Sequence, residues 1–191
     1  SPLTEQIVRV LSDAQKAYEI IFIDDASTDG SDVILDELEV AHDVVKVFHF
    51  VHRSGQTAAF TAGFKEAKGN HIATLDGDLQ YDPADILRLL PLSNKFDLVC
   101  GRRVTRNDNA IRGLSSRLAN AVRNFVTHDQ VQDTGCSLKI FSRQLIDRLQ
   151  LFDGMHRFFP ALAKMYGFTV TECDVRHFPR THGTSKYGIQ N

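Results

Sequence analysis

The chain has 191 residues, 42% hydrophobic and 24% charged, with a formal net charge of −2. These values describe an ordinary globular chain with room for a sizeable core, read as a single domain over 1–191, and they exclude partner choice by bulk charge. No apolar run approaches the roughly 18 residues that cross a bilayer, and no basic start leads into an apolar stretch of the secretory kind.

Leu3, Ile7, Val10 and Leu11 recur at helical spacing and predict an amphipathic first helix. Glu19 to Asp24 is β-branched and aromatic, too short for a helix and suited to a buried strand. A turn at Ser27–Ser31 leads into a helix carrying Val33, Ile34, Leu35 and Leu38. Val44–Phe50 reads as a strand, Thr57–Ala67 as a helix stopped by Gly69, and His71–Leu75 as a strand ending at Asp76. Asp82-Pro83-Ala84-Asp85 has the composition of a helix start, with Asp82 as cap, Pro83 at the first position and Asp85 in the first turn. Asp97–Gly101 is a further short strand. Strands and helices therefore alternate, which predicts an α/β fold with a mostly parallel sheet flanked by helices.

Beyond residue 101 the pattern changes. Arg102–Arg112 is polar and irregular, and Leu114 to about Thr127 reads as a helix. Cys136–Phe141 is an expected strand, Ser142–Leu149 a short helix, His156–Tyr166 a helix with Pro160 near its start, and Phe168–Val175 an edge strand. The three cysteines, Cys100, Cys136 and Cys173, have neither metal nor redox spacing and read as reduced, small hydrophobic side chains.

In sheets of this kind ligands sit beyond the carboxyl ends of the strands, where both acidic motifs fall. In Asp76-Gly77-Asp78, side chains two apart on an extended segment would share one side. Two carboxylates could then converge on one hard cation, with Gln80 continuing the series; a solvated turn is the plain alternative. In the run from Asp24 to Gly30, Asp25 can accept a hydrogen bond from a nucleobase or ribose, Asp29 reads as a capping residue, and Asp24 is divided between the two roles. Arg102, Arg103, Arg106, Arg112, Arg117 and Arg123 face only Asp108 among acids over that stretch and could hold phosphate oxygens. A solvated basic face competes for Arg123; nucleic-acid binding competes for the whole cluster but has no accompanying motif. No acid follows Asp174, and the Gly-containing basic tail from Arg180 to Tyr187 could fold over a phosphate or fray. His49 and His52 do not converge as metal ligands, and His156 reads as a packing residue. Nucleophile elbow, Walker loop and G-x-G-x-x-G are all absent from the sequence.

The ordered series of Glu19–Ser31, Gly55-Gln56-Thr57-Ala58-Ala59, Thr74–Gln80 with Asp82-Pro83, Gly101-Arg102-Arg103, Ser116-Arg117, Asp133-Thr134-Gly135-Cys136, Met155-His156-Arg157 and Arg180–Tyr187 resembles glycosyltransferase family 2, with the GT-A fold. The branch it is most similar to is the polyprenyl-phosphate glycosyltransferases, and the resemblance covers nearly the whole chain. It implies that Asp25, with Asp24, binds the nucleotide, and that Asp76 and Asp78, with Gln80, hold Mg²⁺ or Mn²⁺ and the diphosphate. It also implies that Arg103, Arg112, Arg180 and Lys186 hold phosphates, and that Asp133 lies near the acceptor. Asp78, Asp133 and Arg103 are thereby the expected catalytic set.

The implied donor is a nucleotide-sugar and the implied acceptor a lipid phosphate, met peripherally at the cytoplasmic face of a membrane, with a homo-oligomer allowed and nucleic acid not expected. Against the family pattern the sequence starts in the helix after the usual first strand and stops soon after the Ser185-Lys186-Tyr187 loop, so truncation at both ends is expected. Two other readings stay open: transfer to a protein or soluble hydroxyl with Asp133 as base, and a non-catalytic nucleotide-binding module. A processive synthase is a less favoured reading, since its usual tryptophan-containing motif cannot occur in a chain with no Trp.

Overall fold

A computed structural model of the chain describes residues 2–104, 131–152 and 154–179. The expected helix at Leu114–Thr127, the arginines 106, 112, 117 and 123, and the tail with Arg180 and Lys186 lie outside the described residues.

The described elements are α1 (Pro2–Asp13), β1 (Ile20–Asp24), α2 (Ser31–Ala41), β2 (Val45–His49), α3 (Gln56–Glu66), β3 (His71–Thr74), α4 (Asp85–Leu89), β4 (Leu98–Arg103), β5 (Lys139–Ser142), α5 (Arg143–Arg148), α6 (Phe159–Met165) and β6 (Val170–Val175). Short 3₁₀ turns precede β4 and α6. The expected α/β architecture is present, with its strands in two groups. β1 and β2 pair in parallel, and the larger sheet has the order β3-β5-β4-β6. β5 runs antiparallel to both β3 and β4, whereas β6 is parallel to β4. The larger sheet is therefore mixed, because β5 returns through its middle.

Alternation along the two central strands builds a core on each face. Leu98 and Cys100 of β4 and Phe141 of β5 join Phe64, Leu145 and Phe159. Val99 and Ile140 point the other way, against Tyr81, Leu89, Leu138 and Val175. The rings of Phe60, Phe64, Phe141 and Phe159 pack with centroids 5.1–6.0 Å apart, locking α3 and α6 onto one face. A third cluster joins α1 and α2 to the smaller sheet through Leu3, Ile7, Ile20, Leu38 and Val45.

Local signals set most element ends, with two corrections. Gly69 does not stop α3. The helix ends at Ala67, which is extended, and the Arg143 guanidinium donates to the carbonyls of Phe64, Ala67 and Gly69. A cation from the start of α5 thus satisfies carbonyls that the helix leaves open and suits the negative end of its dipole. The regular part of α4 begins at Asp85 rather than Pro83. Asp82 still caps, its Oδ1 accepting from the Ala84 N–H at 2.8 Å, over an opening turn of 3₁₀ type. As expected, Ser142 caps α5 by accepting from the Leu145 N–H, Pro160 lies in the first turn of α6, and Gly167 ends that helix at φ 82°.

Gly101 lies where β4 is squeezed between its neighbours. A Cβ there would stand 2.8 Å from Cys136 Sγ, 2.9 Å from the Leu138 carbonyl and 3.1 Å from Val175. That carbonyl accepts the Gly101 N–H at 2.8 Å and cannot retreat without losing the bond. Gly101→Ala is expected to cost about 2 kcal/mol of stability, in the range for overpacked cores; an unchanged urea midpoint would contradict this packing account.

Candidate functional site

The site grows from the start of α3. Gly55 precedes this helix at φ 87°, a conformation that glycine adopts without side-chain strain. It leaves the Ser54 and Gly55 N–H groups aimed at Asp25, just past β1. Ser54 donates to Oδ1 at 2.6 Å, and Gly55 donates at 3.2 Å to Oδ1 and 3.0 Å to Oδ2. The next residue, Gln56, makes a long 3.5 Å contact from Nε2 to Asp76 Oδ1. Thr57, one residue further, pairs its hydroxyl with His156 Nδ1 at 2.9 Å. One helix start thus gathers Asp25, Asp76 and His156, and the positive end of a helix dipole favours negative charge there.

The acidic loop after β3 is not extended, which corrects the argument from alternation. Gly77 and Asp78 form a turn, and Leu79 takes a positive φ of 59°. The Asp78 side chain accepts the Gln80 N–H at 3.2 Å, closing a local turn of the kind short acidic side chains favour. Ala26, just after Asp25, also has a positive φ, 54°. The backbone therefore bends sharply behind a carboxylate in both motifs, and such strain persists only where surroundings impose it. From below, the Ser137 hydroxyl accepts the Asp76 N–H at 3.2 Å, while the Ser137 carbonyl accepts from Thr74 Oγ1 at 2.7 Å. Gln80 donates its side-chain amide to the Phe178 carbonyl at 3.3 Å.

Arg103 and Asp133 form a bidentate pair, with Nε–Oδ2 at 2.7 Å and Nη2–Oδ1 at 2.8 Å, and the Arg103 N–H adds a third bond to the carboxylate. Their side chains are only 13% and 7% exposed. Burial opposes charge on Arg103, but the Asp133 bond outweighs it and raises the guanidinium pKa further above its usual value. Arg102 instead turns outward to Asp174 at 2.6 Å.

Asp24 faces inward, 5% exposed. It accepts the Ser27 N–H at 3.1 Å, and the parallel register sets it opposite His49, whose Nδ1 lies 2.9 Å from Asp24 Oδ2. The other ring nitrogen of His49 lies 3.0 Å from Asp36 in α2. Burial alone would raise the Asp24 pKa, but the bonds from Ser27 and His49 outweigh it and hold the carboxyl below its usual range. The Asp24 contact first, then the Asp36 contact, raises His49. Asp24 is thus a support beneath Asp25. Asp29 reads in sequence as the cap of α2, but the cap position is Gly30, with no side-chain cap bond; Asp29 instead accepts from the Ser31 N–H and hydroxyl in a local turn just before the helix. The three cysteines are thiols outside any disulfide, and burial raises the pKa of Cys136 and Cys173.

A divalent cation fits the chemistry at Asp76 and Asp78, since hard cations take carboxylate oxygens. Among the described residues no group of three or more His, Cys, Asp and Glu is close enough to form a cage. Mg²⁺ and Mn²⁺ are commonly held by one or two carboxylates and completed by substrate phosphates. Sequence reasoning missed the supporting roles of Ser54, Gln56, Ser137 and His49. Gly55 and Gln56 stand in one of the motifs of the family resemblance, which gives them no role by itself; the contacts of the others arise only from chain pairing.

The sequence model described as "Glycosyl transferase family 2" matches residues 1–150. The chain belongs to this family. It is 36% identical over 195 residues to dodecaprenyl-phosphate galacturonate synthase of Rhizobium johnstonii, covering 98% of this chain and 57% of that protein. It is 38% identical over 172 residues to undecaprenyl-phosphate 4-deoxy-4-formamido-L-arabinose transferase of Pseudomonas fluorescens, covering 89% of this chain and 51% of that protein. The chain thus spans little more than half the length of these relatives. Among solved structures, glucosyl-3-phosphoglycerate synthase from Mycobacterium tuberculosis, in complex with Mn²⁺, UDP-glucose and phosphoglyceric acid, superposes with a TM-score of 0.64 at 16% identity, over 92% of this chain and 67% of that one. A mannosyltransferase from Pyrobaculum calidifontis, in complex with GDP-mannose and Mn²⁺, gives 0.62 at 19% identity, over 91% and 52%. These likenesses establish the GT-A fold of this family 2 member.

The His49 bridge makes the support under Asp25 sensitive to pH. A folded pKa raised above the unfolded value near 6.5 gives stability that is complete below that value and lost as pH rises through the folded one. The depressed Asp24 acts oppositely, its contribution being lost only as acid brings the pH down through its folded value. His49→Ala is expected to cost about 1 kcal/mol near pH 6 and less near pH 9, the ring being partly exposed. Denaturant unfolding at both values measures it, and a pH-independent difference would rule out an ionic bridge.

Proposed function

We propose that this chain is the catalytic core of an inverting, metal-dependent glycosyltransferase that moves a sugar from a nucleotide-sugar to a polyprenyl phosphate. The observation that carries the reading is the convergence of Asp25 and Asp76 on successive residues of the α3 start. The names of the relatives, which include dodecaprenyl- and undecaprenyl-phosphate transferases, support the acceptor class.

In this reading Asp25 receives the nucleoside. Its carboxylate already accepts two backbone amides, and a carboxylate has about four acceptor positions, leaving capacity for a base or ribose donor. Asp76 and Asp78, with Gln80 beside them, face the diphosphate. A bound Mg²⁺ or Mn²⁺ would supply electrostatic stabilisation of the leaving diphosphate. The lipid phosphate oxygen attacks the anomeric carbon as the bond from that carbon to the diphosphate oxygen breaks, so configuration inverts. Arg103, and in sequence terms Arg112, Arg180 and Lys186, are the cations assigned to donor or lipid phosphates.

The acceptor oxygen is anionic near neutral pH, so no strong protein base is required. This agrees with the pairing of Asp133, whose carboxylate is committed to the Arg103 guanidinium by a bidentate bond. A hydroxyl acceptor would need that carboxylate as base and is the weaker reading. The pair gives Asp133 a different task, holding Arg103 in place. Attachment to the cytoplasmic face of a membrane and self-association belong to the same proposal; among the described residues no helix is long and apolar enough to cross a bilayer.

The test is an assay of the protein with polyprenyl phosphate and a panel of labelled nucleotide-sugars plus Mn²⁺. Asp78→Ala is expected to lower turnover at least about a hundredfold with little change in melting temperature. Near-normal turnover would remove the metal-loop role. Product with hydroxyl acceptors but never with polyprenyl phosphate would reverse the acceptor assignment.

A further inference from the structure

The sequence places Asp85 in the first turn of a helix, where a carboxylate ordinarily faces solvent. The structure buries it completely, at 0% exposure. A buried carboxylate is tolerated only when its oxygens are engaged, and here they are engaged by a distant segment. The Arg176 N–H, just past β6, donates to Asp85 Oδ2 at 2.7 Å. The Arg176 guanidinium lies 3.5 Å from Asp85 Oδ1 and 3.0 Å from Asp82. Arg88, one turn along α4, adds 3.0 Å to Oδ1.

Past Arg176 the chain runs back to the site. His177 pairs with Tyr81 in an antiparallel bridge, their rings 5.3 Å apart. The Phe178 N–H donates to the Gln80 carbonyl at 2.8 Å, and Gln80 returns its side-chain amide to the Phe178 carbonyl at 3.3 Å. Residues 176–178 form a strap, fastened at one end by Asp85 and at the other by Gln80. Gln80 in turn donates its own N–H to Asp78. Between Asp78 and Gln80 stands Leu79 at φ 59°, a conformation that needs outside restraint in a residue with a side chain.

We propose that Asp85 is a positioning residue for the acidic loop Asp76–Gln80, acting through the strap Arg176–Phe178. The proposal rests on the reading that this loop takes a cation with a nucleoside diphosphate. Asp85 touches neither and acts by fixing where Gln80 and the turn at Asp78 stand. The main attachment is the backbone donor of Arg176, because both guanidinium groups are half exposed and their attraction is screened. Arg88 bonds the carboxylate from within α4 and does not tie the strap to it, so it has no part in positioning.

The test compares Asp85→Asn, Arg176→Ala and Arg88→Ala in the same protein. Hydrogen exchange of the segments containing Gln80 and Phe178 is read without ligand, and Mn²⁺ affinity is read with uridine or guanosine diphosphate present. Asp85→Asn is expected to speed exchange in both segments and weaken Mn²⁺ binding about tenfold, the scale for residues that hold metal ligands from behind. Arg176→Ala should do the same more weakly, about threefold, and stands in if Asp85→Asn fails to fold. Arg88→Ala should match the unmodified protein in both. Unchanged exchange in Asp85→Asn and Arg176→Ala, or faster exchange with unchanged Mn²⁺ affinity, would overturn the proposal. An unmodified protein that binds no Mn²⁺ with either diphosphate would sink the proposed function instead, and exchange alone would then decide whether Asp85 holds the loop.

Discussion

The backbone amides of Ser54 and Gly55 on the Asp25 carboxylate are the contact around which the site is organised. Two N–H donors at a helix start neutralise part of one negative charge, which lets further carboxylates approach. They also tie the end of β1 to α3, so that Gln56 and Thr57 fall into fixed places beside Asp76 and His156. α3 is held in turn at its far end by Arg143 and along its side by Phe60 and Phe64. A helix fixed at its end and side can present its first amides accurately, as a site for charged ligands requires.

Among the described residues, the segment 131–179 contributes mainly support. β5 returns between β3 and β4, bringing the segment from Asp133 to Ser137 beneath the acidic loop. Ser137 holds the loop's backbone at Asp76, and Asp133 holds the Arg103 side chain. Both are polar groups in a largely dry layer, where an unpaired donor or acceptor would be costly. Their pairing therefore specifies one arrangement of loop and strand, and the strap from β6 adds a second hold on the same loop at Gln80.

The chemistry that suits this arrangement places little demand on proton transfer. The buried carboxylates that could have served as bases are engaged: Asp24 with Ser27 and His49, Asp85 with Arg176 and Arg88, Asp133 with Arg103. In the proposed reading Asp25 holds the nucleoside and the Asp76–Asp78 loop holds the cation. An anionic phosphate nucleophile and a diphosphate leaving group match such a site, because the barrier then lies in charge that metal and cations can absorb.

Local order was legible in the amino-acid sequence: the strand ending at Asp24 and the next acidic strand end to within a residue, the helices at 56–66 and 143–148 to within a residue or two, the presence of helices at 2–13 and 31–41, and the two acidic motifs past strand ends. These follow from side-chain period, caps and turns, which the chain carries within a few residues. The tertiary structure alone decided the antiparallel course of β5, the turn that replaces an extended Asp76–Asp78, and the partners of the buried charges. His49 meets Asp24 across 25 residues, Arg103 meets Asp133 across 30, and Arg176 meets Asp85 across 91. A first-turn aspartate looks alike in sequence whether it faces water or an arginine from the far end of the chain. Only packing of β6 beside β4 brings that arginine within reach and makes the buried position tolerable.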